Sequence, residues 1–186
     1  MAVERDSATD RERRFHDAAL PYLDDVFTLA RYLMRNVPDA EDAVQECFMR
    51  ALKHFGSYRG PSMKAWLLTI LRNICNAEFA RRGKQEMLSD DPTDETETEH
   101  IPMWQEPQAS AEAVMLRKHD DNTIRELIAA LPAQFREVIV LREINGLSYQ
   151  EIAQVAGMPV GTVMSRLARA RAMLRTAWDV AEGVMP

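Results

Sequence analysis

The chain has 186 residues, 46% of them apolar, and a formal net charge of −6. That length suits one domain or two small ones, and the apolar share belongs to a chain that folds rather than one that stays disordered. Two cysteines, four scattered histidines and the lack of any long apolar run exclude a disulfide scaffold, a metal site of familiar spacing and a membrane-spanning helix. No metal or other cofactor is expected.

Residues 1–12 are polar and read as a frayed terminus without the apolar core of a signal peptide, which fits a reducing cytoplasm. From Phe15 to Asn36 the pattern turns helical. Leu20, Leu23, Val26, Phe27, Ala30, Leu33 and Met34 recur at three and four, with a break at Pro21. The next segment is VPDAEDAVQECFMRALKHF. Here Asp39 reads as a helix cap, and Glu41 and Asp42 fall in a first turn where the helix dipole favours anions. Ala40, Ala43, Val44, Cys47, Phe48, Ala51, Leu52 and Phe55 form the buried face. Asp39, Glu41, Asp42, Gln45 and Glu46 are left as an acidic and amide surface, either a solvated helix start or a docking face for a basic partner protein.

The loop GSYRGPS carries Tyr58 and Arg59 among the breakers Gly56, Gly60 and Pro61. Ser62 is placed to cap a long helix, MKAWLLTILRNICNAEFARR, which Gly83 would close. Trp66, Leu67, Ile70, Leu71, Ile74, Ala77 and Phe79 are its apolar set, and Arg72, Asn73, Asn76, Arg81 and Arg82 its polar one. Aromatic rings and arginines beside a loop suit unpaired bases, which stack on rings and are read on their edges. The plainer reading is a core Trp66 and a solvated helix end. Residues 84–108 hold three prolines and the acidic run DETETE, with one apolar island around Trp104, and read as a flexible acidic linker.

Helical spacing resumes over 109–131 through Ala113, Leu116, Ile124, Leu127, Ile128 and Leu131. Pro132 starts a further helix, PAQFREVIVLREING, ended by Gly146. The segment from Leu147 to Trp178 carries the clearest motif. Ser148 and Glu151 fit a capping box, Gly157 suits the left-handed stop of a first helix, and Pro159 suits the first turn of a second. That is helix-turn-helix spacing. On the second helix Val163, Leu167, Ala170, Leu174 and Trp178 line one stripe, while Thr162, Ser165, Arg166 and Arg169 share another face. Short hydroxyl residues allow close approach to DNA, and arginine forks onto guanine or phosphate.

The negative charge is concentrated. Residues 84–122 hold 3 Lys/Arg against 11 Asp/Glu, and the segments on either side are each net +1. A protein that met DNA unaided would show a stronger basic footprint, so the charge points to DNA binding supported by a larger partner. An enzyme has no support: there is no clustered nucleophile and base, and no phosphate-cradling glycine loop. The expected fold is all-α. Two small helical domains, residues 1–83 and 109–186, are joined by the 84–108 linker, and the second is a four-helix helix-turn-helix domain.

With these halves in view, the chain resembles RNA polymerase sigma factors of the extracytoplasmic-function group. DAEDAVQECFMRAL resembles the family's polymerase-binding helix, and AWLLTILRNICNAEFARR its promoter-melting helix. LPAQFREVIVLREINGLSYQEIA and PVGTVMSRLARARAMLR resemble its second domain. The resemblance implies that Asp39, Glu41, Asp42, Gln45 and Glu46 grip core RNA polymerase. It implies that Tyr58, Arg59, Trp66, Arg72, Asn73, Asn76, Arg81 and Arg82 handle the unpaired minus-ten strand of promoter DNA. Pro159, Val160, Gly161, Thr162, Ser165, Arg166 and Arg169 would read the minus-thirty-five duplex in the major groove. An anti-sigma factor is the implied regulatory partner. The chain departs from the family pattern at Asn76, where many members carry Asp, and at Met164, where Lys is frequent. The competing reading is a stand-alone helix-turn-helix regulator whose N-terminal half is a sensor or dimerisation module.

Overall fold

Eight α-helices carry the fold in a computed structural model that describes residues 2–86 and 122–181, with side chains over 10–82 and 122–181. The acidic linker and Trp104 lie outside the described residues. The helices are α1 (Ala2–Ala19), α2 (Leu23–Met34), α3 (Val37–His54), α4 (Met63–Glu86), α5 (122–130), α6 (Ala133–Ile139), α7 (Tyr149–Ala156) and α8 (Val160–Ala181). No strand occurs among the described residues.

The N-terminal half is a bundle of α2, α3 and α4 braced by α1. The expected frayed terminus is instead helical from Ala2. The end of α1 is anchored because Phe15 meets Phe48 and Phe55 edge-on, at centroid distances of 6.3 and 5.4 Å. Pro21 falls in a short 3-10 turn, Leu20–Tyr22, that redirects the chain into α2. Helix α2 stops at Met34, the last residue of its apolar set and two short of the expected Asn36, because Arg35 adopts a left-handed conformation at φ 66°.

The cap of α3 is Asn36, not Asp39. The Asn36 side chain accepts from the Asp39 N–H at 2.8 Å, and its amide donates to the Asp39 carboxylate at 2.6 Å. Pro38 fits the first turn, where an N–H has no intrahelical acceptor to lose. Ser62 does cap α4, through Ala65 N–H to Ser62 Oγ at 3.2 Å. Gly83 does not end that helix, which continues to Glu86. One glycine costs a helix about 1 kcal/mol relative to alanine and does not by itself break it.

In the C-terminal half the helix begun after Pro132 changes character. It is α-helical to Ile139 and then opens into a π turn over Val140–Ile144, where Asn145 N–H reaches back to Val140 O at 2.9 Å. Gly146, at φ +70°, ends it.

The two halves are not independent bodies. A continuous apolar core runs from Val26, Leu67 and Leu71 to Val138, Leu141 and Ile152. Helix α6 packs on α2, and α7 packs on α4. Each half alone would bury little surface for its length, and sharing one core answers that shortage.

Candidate nucleic-acid interface

The helix-turn-helix is assembled by local chemistry. Ser148 Oγ accepts from Glu151 N–H at 3.2 Å, and the Glu151 carboxylate accepts from Ser148 N–H at 2.9 Å. That backbone bond, with the Ser148 hydroxyl, holds the Glu151 carboxyl below its usual range. Gly157 takes φ +59°, and Met158 N–H closes on Ala153 O at 3.1 Å. Pro159 sits at the cap of α8, with its carbonyl accepting from Thr162 and Val163.

Helix α8 then sorts by face. Val163, Leu167 and Ala170 are buried, and Leu174 and Trp178 are half-buried. Pro159, Val160, Gly161, Ser165 and Arg169 are exposed, and Thr162 and Arg166 are half-buried beside them. The Ser165 hydroxyl donates to Thr162 O at 3.0 Å. Arg166 and Arg169 have no acidic partner among the described residues. Arg171 does, since Glu143 accepts from it at 2.6 and 3.2 Å. The free face is therefore small and polar at the helix start and cationic one turn later, a form that enters a major groove.

The second surface is the loop before α4 and the helix itself. Tyr58 and Trp66 stack at 4.7 Å between centroids. Gly60 permits that arrangement, because a Cβ there would lie 2.9 Å from the Tyr58 ring. Arg59 folds onto its own loop, donating to Gly56 O at 2.9 Å and Tyr58 O at 2.7 Å. Asn73 and Asn76 are exposed one turn apart on α4. Arg72 points elsewhere, into an ion pair with Glu137 of α6.

The third surface is a groove of about 410 Å³ between α3 and α4, lined by Asp39, Asp42, Glu46 and Arg50 against Glu78, Arg81 and Arg82 over an apolar floor that includes Met34 and Ile74. Arg82 bridges to Asp39 at 2.5 Å and to Glu78 at 2.9 Å. Arg81 meets Glu78 at 2.6 Å. Hydrogen bonds from both arginines pull the Glu78 carboxyl down to about 2. Asp42 of the lining is exposed, Glu41 and Gln45 are exposed elsewhere on α3, Glu46 is half-buried, and Glu46 accepts from Arg50 at 2.5 Å.

Two family models match the chain in order: Sigma-70 region 2 over residues 19–85 and Sigma-70 region 4 over residues 121–174. A sigma-H factor of Pseudomonas aeruginosa is 34% identical over 170 residues, which is 91% of this chain and 88% of that protein, and an ECF RNA polymerase sigma-E factor of Haemophilus influenzae is 34% identical over 147 residues, which is 78% of this chain and 77% of that protein. The chain belongs to the extracytoplasmic-function sigma factors.

The sigma-E factor of Escherichia coli is 36% identical over 146 residues, covering 77% of this sigma factor and 76% of the relative. A co-crystal structure of the sigma factor RpoE with the anti-sigma factor NepR from Bartonella quintana aligns with a TM-score of 0.74 at 30% identity, covering 90% of this chain and 98% of that one. A stand-alone regulator is not favoured, because the N-terminal half of this sigma factor matches region 2 rather than a sensor module.

The residues expected at the minus-ten strand thus lie in three places. Tyr58, Arg59, Trp66, Asn73 and Asn76 sit along the loop and the first half of α4. Arg72 is at the seam between the halves, and Arg81 and Arg82 stand in the acidic groove beside the residues expected to grip polymerase. Sequence reasoning missed Glu137, Asn145 and Arg136, which cross the seam: PAQFREV gives no sign that its charged pair is buried. No described helix is long and apolar enough to cross a membrane. No cluster of three or more His, Cys, Asp or Glu able to hold a metal occurs among the described residues.

Proposed function

We propose that this sigma factor binds core RNA polymerase through the rim of the α3–α4 groove and directs it to promoters through the outward face of α8. The observation that carries this is the pairing of region 2 and region 4 matches with an exposed, partly cationic α8 face. Asp42, Glu41 and Gln45 supply exposed acidic and amide groups for a basic clamp, with Asp39 and Glu46 behind them. Thr162, Ser165, Arg166 and Arg169 read the minus-thirty-five duplex, and the first turn at Pro159, Val160 and Gly161 lies against its phosphates. Asn73, Asn76, Arg59 and the Tyr58–Trp66 stack capture the unpaired minus-ten strand. Its role is to give specificity to a polymerase, not to catalyse a reaction of its own. The relative solved with NepR is held by an anti-sigma factor, and a regulator of that kind is proposed here as well.

The test is reconstitution. Purified chain and bacterial core polymerase, given a genomic promoter library, should yield transcripts from a defined subset of starts. Transcription no different from core polymerase alone overturns the assignment.

A further inference from the structure

Beside the polar and cationic face of α8 runs an apolar strip. At about 100° per residue, Val160, Met164 and Ala168 follow one another a turn apart. They border Gly161 and Ser165 on the side away from Thr162, Arg166 and Arg169. Val160 is 38% exposed, Met164 is 54% exposed, and Ala168 is exposed as well. The stripe that α8 buries, Val163, Leu167 and Ala170, faces elsewhere.

On this flank only Met164 reaches far beyond the backbone. Gly161 and Ala168 have little or no side chain, and the Ser165 hydroxyl is turned back onto Thr162 O at 3.0 Å. The next long side chain along the flank, Arg171, is held by Glu143. A thioether has no proton to donate, so it serves neither a phosphate oxygen nor the acceptor edge of a purine. The apolar group that a base pair shows in the major groove is the C5 methyl of thymine. A methionine chain is flexible and polarisable, and it fits itself over such a group.

We propose that Met164 selects a thymine in the minus-thirty-five element by covering its C5 methyl group. The helix then recognises DNA in two ways, by hydrogen bonds and charge on the Arg166 flank and by apolar contact on the Met164 flank. What Met164 senses is the methyl group, so a 5-methylcytosine in that place imitates thymine in part. This rests on reading α8 as the helix that enters the minus-thirty-five groove.

The test uses holoenzyme reconstituted from the full chain and core polymerase, on the promoter it transcribes most. Each thymine of the minus-thirty-five element, on either strand, is replaced in turn by deoxyuridine. That removes one methyl group and keeps every hydrogen-bonding atom. Wild type should lose about fourfold in promoter affinity at one of these positions, the order expected for one buried methyl group. Met164→Ala should lose a similar amount on the natural promoter and nothing more on the deoxyuridine one. Met164→Leu keeps the apolar bulk and should keep the sensitivity, whereas Met164→Gln, of similar length, should lose it. Arg166→Ala should bind more weakly and still respond to the methyl group. At the sensitive position 5-methylcytosine should bind better than cytosine. If no deoxyuridine weakens wild type, or if one weakens Met164→Ala as much, the methyl contact is overturned. If Met164→Ala lowers transcription equally from every template, Met164 touches the polymerase instead of DNA, and the inference fails. A holoenzyme that transcribes as well with the element scrambled overturns the reading of α8 itself, and this inference with it.

Discussion

Arg166 and Arg171 lie five residues apart on α8 and should behave very differently. Arg166 has no acidic partner among the described residues, so Arg166→Ala breaks no ion pair inside the protein and should remove the proposed contact to DNA. A good base contact is worth about 1–3 kcal/mol, or roughly 5- to 150-fold in binding. Arg171 is committed to Glu143 at 2.6 Å, in a pair whose side chains are 46% and 48% exposed. An exposed pair of that kind contributes about 0–1 kcal/mol to stability, and its arginine is not free to reach a base. Transcription by the reconstituted holoenzyme, from its own promoters and from versions altered at the minus-thirty-five element, separates the two. Arg166→Ala should lose output and discriminate less at that element. Arg171→Ala should keep the promoter profile and lose at most a little thermal stability. Equal losses from both variants would refute the assignment of the reading face.

Asp42→Arg reverses an exposed charge at the rim of the groove and should abolish association with core polymerase while leaving the melting temperature unchanged; co-elution on a sizing column decides it. Arg35→Gly should stabilise the chain. The left-handed conformation costs a non-glycine residue about 1–2 kcal/mol, glycine's extra chain entropy returns about 0.5–1 of that, and a like charge leaves the neighbourhood of Arg136; a melting temperature that falls contradicts this. The Glu78 carboxyl is held at about 2 by Arg81 and Arg82, below its ordinary 4.5. A lowered folded value means the stabilisation is present above pH 4.5 and is lost as pH falls towards 2. The melting gap between wild type and Glu78→Gln should therefore narrow over that range, and a constant gap counts against the cluster.

Features set by neighbours in sequence were legible in advance. The capping box of Ser148 and Glu151, the Gly157 stop and the buried stripe of α8 each need only a few residues and a fixed period, so composition and spacing suffice. The cap of α3 was misplaced because Asn36 and Asp39 both precede the apolar run, and only the backbone angles of Asn36 decide between them. The bridge from Arg82 to Asp39 was not legible because the two are more than forty residues apart in the chain, whereas the pairs of Arg81 and Arg82 with Glu78 follow from ordinary helical spacing. The seam was not legible at all. Arg72, Arg136 and Glu137 occupy positions that solvent would suit equally well, and it is the packing of one half on the other that buries them.

The thiols of Cys47 and Cys75 provide a further use of this core. Both are fully buried, burial pushes each thiol up to about 12, and Cys47 Sγ donates to Leu67 O at 3.4 Å. Only the thiolate attacks an alkylating reagent, so neither sulfur reacts while α3 and α4 stay packed. With two cysteines in the whole chain, the rate of alkylation becomes a native clock for breathing of the N-terminal bundle. Loss of the α3–α4 packing that holds Cys47 against Leu67 starts that clock.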